Sequence, residues 1–331
     1  MLTELHPFLE PGVIYGIGAL GLALIYRYLG FPDFTVLGSI VTGGIATVFF
    51  SNLFGPFPGL GIGVLTGASL GLLTGVLRVG LNIKPILAGV ISFTASISVG
   101  YLLTKGGTIA FSVEKQLLSP VFAKGDLLKL AVLAVLLCIG IAALIATRHG
   151  ALLLAMTAEP RFRRCRHRYQ GRVFVTTVMA GNAIVALAGG LDAINSSGAS
   201  VEAHIDFLPF SLAGIFLGNA VAAWAAKVLH KYEMPIDAND PKSDSSRPGR
   251  ITRAIAEMLT LKGERPKQVF FLFLFSVLGT ALVVVVSRVI QAVRTERLLG
   301  FSVDPSWQYI VVASLMALFA WWSSSNEEDT E

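Results

Sequence analysis

Nine long apolar runs separated by polar gaps constrain this chain more than any motif in it. They fall at about 12–29, 34–53, 57–80, 84–104, 127–147, 173–194, 209–229, 268–290 and 307–323, each near the roughly 20 residues of helix that cross a hydrocarbon core. Backbone groups in lipid must bond within their own segment, so such runs read as helices. A β-barrel would show short alternating segments, and the sequence has none. Composition agrees: 54% of the 331 residues are hydrophobic and only 14% charged, far too apolar for a surface that water must wet. The expected fold is all-α, a polytopic transmembrane helical bundle of about nine spans (8–10) forming one membrane domain over residues 1–331. The stretch 31–61 is rich in Gly and Pro. It is a candidate for a broken or re-entrant segment.

Charge sets the orientation. Between Arg148 and Arg172 lie seven arginines against the single acid Glu159, which places the loop 148–172 in the cytoplasm by the positive-inside rule. The segment Lys227–Lys267 carries nine basic residues and six acids, and two spans separate it from the first loop, so both fall on one side. Counting outward puts the C-terminus, Arg27, Arg78 and Lys84 inside, and the loops 105–126 and 195–208 outside. The net charge of +5 therefore reflects topology and not nucleic-acid binding. Within 230–267 the first half has linker composition, while Ile251, Ile255, Met258 and Leu259 recur at helical spacing. This is read as a cytoplasmic linker with a short amphipathic helix on the inner lipid surface or on a partner.

No catalytic or metal constellation is present in the sequence. Five histidines are scattered, Cys138 and Cys165 are isolated, and the stretch GLGIGVLTGASLGLLTG has no following Lys-Ser/Thr to hold a phosphate. Its glycines read as close helix packing. What remains is polar residues inside apolar spans, which in lipid face a cavity, a neighbouring helix or a pathway. Ser92, Thr94, Ser96 and Ser98 alternate along the fourth run, Asn182 lies in the sixth with Asp192 near its outer end, and Asn219 lies in the seventh. The first six of these are the candidate translocation-path residues.

Two stretches carry a family resemblance. IYGIGALGLALIYRYLGFPDFTVLGSIVTGG and GLLTGVLRVGLNIKPILAGVISFTAS resemble the N-terminal half of permeases in the branched-chain amino-acid importer superfamily, most of all its tryptophan/tyrosine-type branch. RHGALLLAMTAEPRFRRC, FVTTVMAGNAIVALAGGLDAINSSGAS and GFSVDPSWQYIVVASLMAL resemble that family's cytoplasmic loop, its following span and its closing span. The chain departs from the family in Leu37, where an acid is usual, in Glu159-Pro160 for Asn-Pro, and in the inserted linker at 230–267.

The resemblance implies a permease subunit of an ATP-binding-cassette importer, moving a small amino-acid-like solute across the bacterial plasma membrane by alternating access. It is not itself an enzyme: ATP and Mg would be bound on a partner ATPase pair, and this chain would carry no cofactor. The other implied partners are an extracytoplasmic solute-binding protein and a second permease copy, a homodimer favoured over a heterodimer. Coupling to the ATPase would run through Ala155–Arg168. There Pro160 starts a helix, Glu159 suits its positive end, and Phe162 and Arg163 offer an aromatic anchor and a charged contact. The competing reading is an ion-coupled secondary transporter, for which Asp192 is the supporting acid.

Overall fold

The computed structural model describes residues 2–111, 127–147, 150, 152–153, 167–204, 206–231, 266–294 and 314. Eight long helices are present among them: α1 Leu2–Leu29, α2 Thr35–Phe54, α3 Pro56–Gly80, α4 Pro85–Thr104, α5 Leu127–Ala146, α6 His167–Asn195, α7 Phe207–Lys231 and α8 Pro266–Arg294. Seven contain windows long and apolar enough to cross a membrane, and α7 adds a shorter apolar stretch, Phe207–Ala222. The protein is therefore a multi-pass membrane protein with an all-α bundle. Eight of the nine predicted runs are seen as helices, and the ninth, 307–323, lies outside the described residues apart from Ser314.

The stretch 31–61 corrects one expectation. It contains no re-entrant break, because α2 is continuous over 20 residues and only Gly55 separates it from α3. Gly55 has φ +99°, a left-handed conformation that costs glycine little, and Pro56 follows at the first turn of α3, where its missing N–H is harmless. The Gly and Pro residues thus make the turn of a helical hairpin instead of breaking a span.

Small residues then let the helices approach. In α3 Gly59, Gly63, Gly67, Gly71 and Gly75 are all buried, and their spacing of four puts them on one face. A β-carbon at Gly71 would lie 2.6 Å from the Val178 carbonyl oxygen, and one at Gly67 would lie 2.5 Å from that of Asn182. These pairings, with Gly75 against Val175, show that α3 runs antiparallel to α6. The packing reading of the glycine-rich stretch is thereby met. On the other side of α6, α1 also packs against it, and α8 lies against α1 and α7. The helix α6 touches α1, α2 and α3 and forms the axis of the bundle.

The buried interior is apolar, with Ile14, Ile17, Leu20, Ile40, Ile45, Val185 and Phe273 fully or almost fully enclosed. Large apolar residues also cover the periphery, among them Leu65 and Leu72 on α3, Ile86 and Leu102 on α4, Leu128 on α5 and Leu282 on α8. Such a surface is stable only against lipid or another apolar chain. One element was absent from the sequence reading. The loops after α4 and α6 meet in an antiparallel two-stranded ribbon, β1 Thr108–Ala110 with β2 Gly198–Ser200, tied to the end of α2 by a hydrogen bond from the Asn52 amide to the Ala110 carbonyl. The two loops predicted to share one side of the membrane do share one end of the bundle.

Candidate site: a buried polar chain around Asp33 and Asn182

The turn between α1 and α2 carries Asp33, which is fully buried. Pro32 precedes it, and the chain turns so that the Thr35 backbone N–H donates to Asp33 Oδ1 at 2.9 Å. The other carboxylate oxygen, Oδ2, accepts from the side-chain amide of Asn182 at 3.0 Å. Asn182 sits in the middle third of the span Gly171–Asn195, and its amide oxygen accepts from the Ser39 hydroxyl at 2.6 Å. Gly89 on α4 closes the fourth side, where a β-carbon would stand 2.8 Å from Asp33 Oδ1.

A second chain of hydroxyls starts at Thr35. Its Oγ1 is 2.7 Å from Thr74 Oγ1, and Thr74 donates to Ser92 Oγ at 2.7 Å. The one Thr74 proton is shared between Ser92 and the Leu70 carbonyl, 3.2 Å away, so toward Thr74 the Thr35 hydroxyl is the donor. Asp33, Thr35, Ser39, Thr74, Ser92 and Asn182 all have zero exposure. Together they link the α1–α2 turn to α2, α3, α4 and α6 through polar groups that have no water to turn to. Burial pushes the Asp33 carboxyl above its ordinary range, and hydrogen bonds from Asn182 and Thr35 pull it partly back. An acid so placed in a membrane bundle is a candidate functional residue by default.

The structure sorts the six path candidates into four groups. Asn182 and Ser92 belong to the buried chain. Ser96 is also buried, but it packs against Gly38 and its hydroxyl donates to its own helix at Phe93. Thr94 and Ser98 are exposed on another face of α4 and donate to Val90 and Thr94 carbonyls. A two-residue step turns a helix by about 200°, so the alternating row divides between an inward and an outward face. Asp192 stands apart, at the ribbon end, 3.5 Å from His204.

Among the described residues no group of three or more His, Cys, Asp or Glu side chains is placed to hold a metal ion. The coupling candidates Glu159, Pro160, Phe162 and Arg163 lie outside the described residues, as do Ile251, Ile255, Met258 and Leu259 of the expected amphipathic helix. The helix α6 begins at His167, inside the expected loop 148–172, and its membrane-length apolar stretch starts at Gly171. Asp33 was missed as a site residue. Its signal was present: a carboxylate between two apolar runs with only turn residues around it.

The family model for the permease component of branched-chain amino acid transport systems matches residues 8–227. The chain belongs to this family. The match takes in every residue of the buried polar chain. The chain is also similar to a tyrosine transport system permease protein of Clostridioides difficile (strain R20291), at 26% identity over 212 residues, covering 62% of this chain and 70% of that protein. No solved structure matches. The resemblance read from the sequence is therefore met at the level of the family, and the chain is a transport permease of the amino-acid class.

Proposed function

We propose that this permease is the translocation subunit of an ATP-binding-cassette importer for a small amino-acid-like solute. The observation that carries the reading is the family match over residues 8–227. The tyrosine transport system permease to which the chain is similar supports an amino acid or a close relative as solute. The sequence has no nucleotide-binding motif, so ATP and Mg would be held by a cytoplasmic ATPase pair. An extracytoplasmic binding protein would deliver the solute, and two copies of the chain would pair around a central path. ATP binding and hydrolysis would shift the pair between outward-facing and inward-facing states.

In this reading the C-terminus, the Arg-rich loop 148–172 and the α1–α2 turn face the cytoplasm of a bacterial cell, and the β-ribbon faces outward. The segment Ala155–Arg168 receives the mechanical work. The exposed hydroxyls Thr94 and Ser98 border the path, and the buried chain through Asp33, Asn182 and Ser92 holds α2, α3, α4 and α6 in register behind it.

One observation favours a second reading. A fully buried carboxylate such as Asp33 is the group an ion-coupled secondary transporter would use. The two readings separate in one experiment. The chain is purified with whatever co-elutes from its native membrane and reconstituted in vesicles, and uptake of labelled aromatic and aliphatic amino acids is measured. The importer reading expects an ATPase subunit in the complex and uptake that requires ATP and survives ionophores. Uptake abolished by ionophores and indifferent to ATP would replace it with the ion-coupled carrier.

A further inference from the structure

The row of α2 that faces the bundle interior changes character half-way along. Thr35, Ser39, Gly43, Thr47 and Ser51 follow one another at spacing four and form one ridge, and the four hydroxyl residues among them have zero exposure. In the half near the α1–α2 turn the hydroxyls are tied to other helices, Thr35 to Thr74 on α3 and Ser39 to Asn182 on α6. In the half near the β-ribbon the pattern stops. Thr47 Oγ1 and Ser51 Oγ are sealed from solvent and have no hydrogen-bond partner among the described residues.

Glycine surrounds these two hydroxyls. A β-carbon at Gly63 on α3 would run into Thr47 Oγ1, one at Gly59 would run into Ser51 Oγ, and one at Gly190 on α6 would stand 2.6 Å from Thr47 Oγ1. A β-carbon at Gly44 would likewise stand 2.9 Å from the Gly189 carbonyl oxygen on α6. The ribbon half of α2 therefore meets α6 through close contact at glycine notches, and Thr47 and Ser51 add no polar bond to it. A Ser or Thr inside a helix can donate to the carbonyl four residues back, as Thr42 does to Gly38; Thr47 and Ser51 do not. Burying a hydroxyl without a partner forfeits the hydrogen bonds that water would give it. Such a group in a native structure calls for an explanation, and it favours any second state in which water reaches it.

We propose that the ribbon half of this seam is built to open: the α2–α3 hairpin swings off the ribbon half of α6, pivoting on the bonds among Asp33, Ser39 and Asn182, and water enters beside Thr47 and Ser51. The bond between Thr35 and Thr74 at one end and the single linking residue Gly55 at the other keep α2 and α3 together as one moving piece. The bond from the Asn52 amide to the Ala110 carbonyl is exposed, so water can take its place as the hairpin moves. The two stranded hydroxyls supply the free-energy difference between closed and open states that a ligand-biased equilibrium works against. The proposal rests on the importer reading only in that a transport cycle needs an opening at the ribbon end.

The test uses the full-length permease in nanodiscs, without ATP, solute or partner chains. Thr47→Val keeps the shape of the side chain and removes the stranded hydroxyl, so it is expected to raise the melting temperature by about 2 °C. A hydroxyl engaged in the fold would make it fall, as is expected for Ser39→Ala, which removes a bond that is made. Opening is read separately with single cysteines in a background lacking Cys138 and Cys165. Val48 is as fully buried as Thr47 and lies at the same depth, turned about 100° around the helix. Thr47→Cys is expected to react with a small water-soluble thiol reagent about tenfold faster than Val48→Cys, since local opening exposes one face and not the other. Fraying of the whole helix end would expose both alike. An unchanged or lower melting temperature in Thr47→Val, or equal labelling at 47 and 48, would overturn the opening seam; Thr47→Val carries the test should the cysteine variants not fold. Neither measurement involves transport, so failure here leaves the importer reading standing, and failure of ATP-dependent uptake leaves these results untouched.

Discussion

The Asn182 side-chain amide donates a 3.0 Å hydrogen bond to the Asp33 carboxylate across 149 residues of sequence. This bond joins the α1–α2 turn to the middle of α6, and both partners are sealed from solvent. Asn182→Leu removes that donor and also strands the Ser39 hydroxyl. Hydrogen bonds to charged groups contribute about 1.5–3 kcal/mol, and an unpaired buried partner adds to the loss. A destabilisation of about 3 kcal/mol is expected, read as a fall in melting temperature in detergent. Asp33→Asn keeps the shape and one of the two acceptor oxygens and is expected to cost less than Asn182→Leu.

The glycine face of α3 sets a second expectation. Gly71→Leu drives a side chain into the Val178 carbonyl and the Met179 backbone, overpacking that costs about 3 kcal/mol. Loss of monodisperse protein in size-exclusion chromatography is the measurement. Gly61, on the same helix, faces open space, with nothing within 4 Å of where a β-carbon would stand, so Gly61→Ala is expected to change stability by no more than about 0.5 kcal/mol.

The two faces of α4 should respond oppositely. Ser92→Leu and Ser96→Leu insert bulk against Thr74 and Gly38 and are expected to lower stability by about 1–3 kcal/mol. Thr94→Leu and Ser98→Leu alter only exposed positions and should leave the melting temperature nearly unchanged while cutting solute uptake by more than half. Full uptake in both outward variants would remove that face from the path.

Topology is tested with single cysteines at Ser197 and Ser245 in a background lacking Cys138 and Cys165. An impermeant thiol reagent should label Ser197→Cys from outside intact cells and Ser245→Cys only after the membrane is opened. Labelling of both from one side would overturn the topology drawn from the arginines.

Coupling to the ATPase is tested at Phe162, the lone aromatic among the arginines 161–168. Phe162→Asp removes an anchor suited to a pocket but leaves the basic character of the loop. It should insert normally and lose ATPase association or solute-stimulated hydrolysis. Wild-type stimulation would place the coupling element elsewhere.

The spans were legible because lipid demands about 20 apolar residues whatever the neighbours are, and α2 and α3 begin and end within a residue or two of the expected limits. The glycine packing of α3 was legible for the same kind of reason: a four-residue repeat is local. The alternating row on α4 divides between two faces, since a two-residue step turns a helix by about 200°. Asn182 was found because a buried amide in a span is conspicuous, whereas its partner Asp33 sat in what read as a turn. Tyr15, on α1, and His204 are joined only by tertiary packing, 189 positions apart. No local pattern records such a distance.

The central place of α6 bears on how the protein is made. The first four helices leave the ribosome well before α6, yet Asn182, the partner of Asp33 and Ser39, and the residues that meet Gly67, Gly71 and Gly75 lie on it. Until residue 182 is synthesised, a carboxylate and a row of helical notches wait in the bilayer without their counterparts, and Asp33 must be sheltered by water, headgroups or the insertion machinery. Completion of the N-terminal half is thus postponed to the sixth helix, and the early spans gain their final neighbours together.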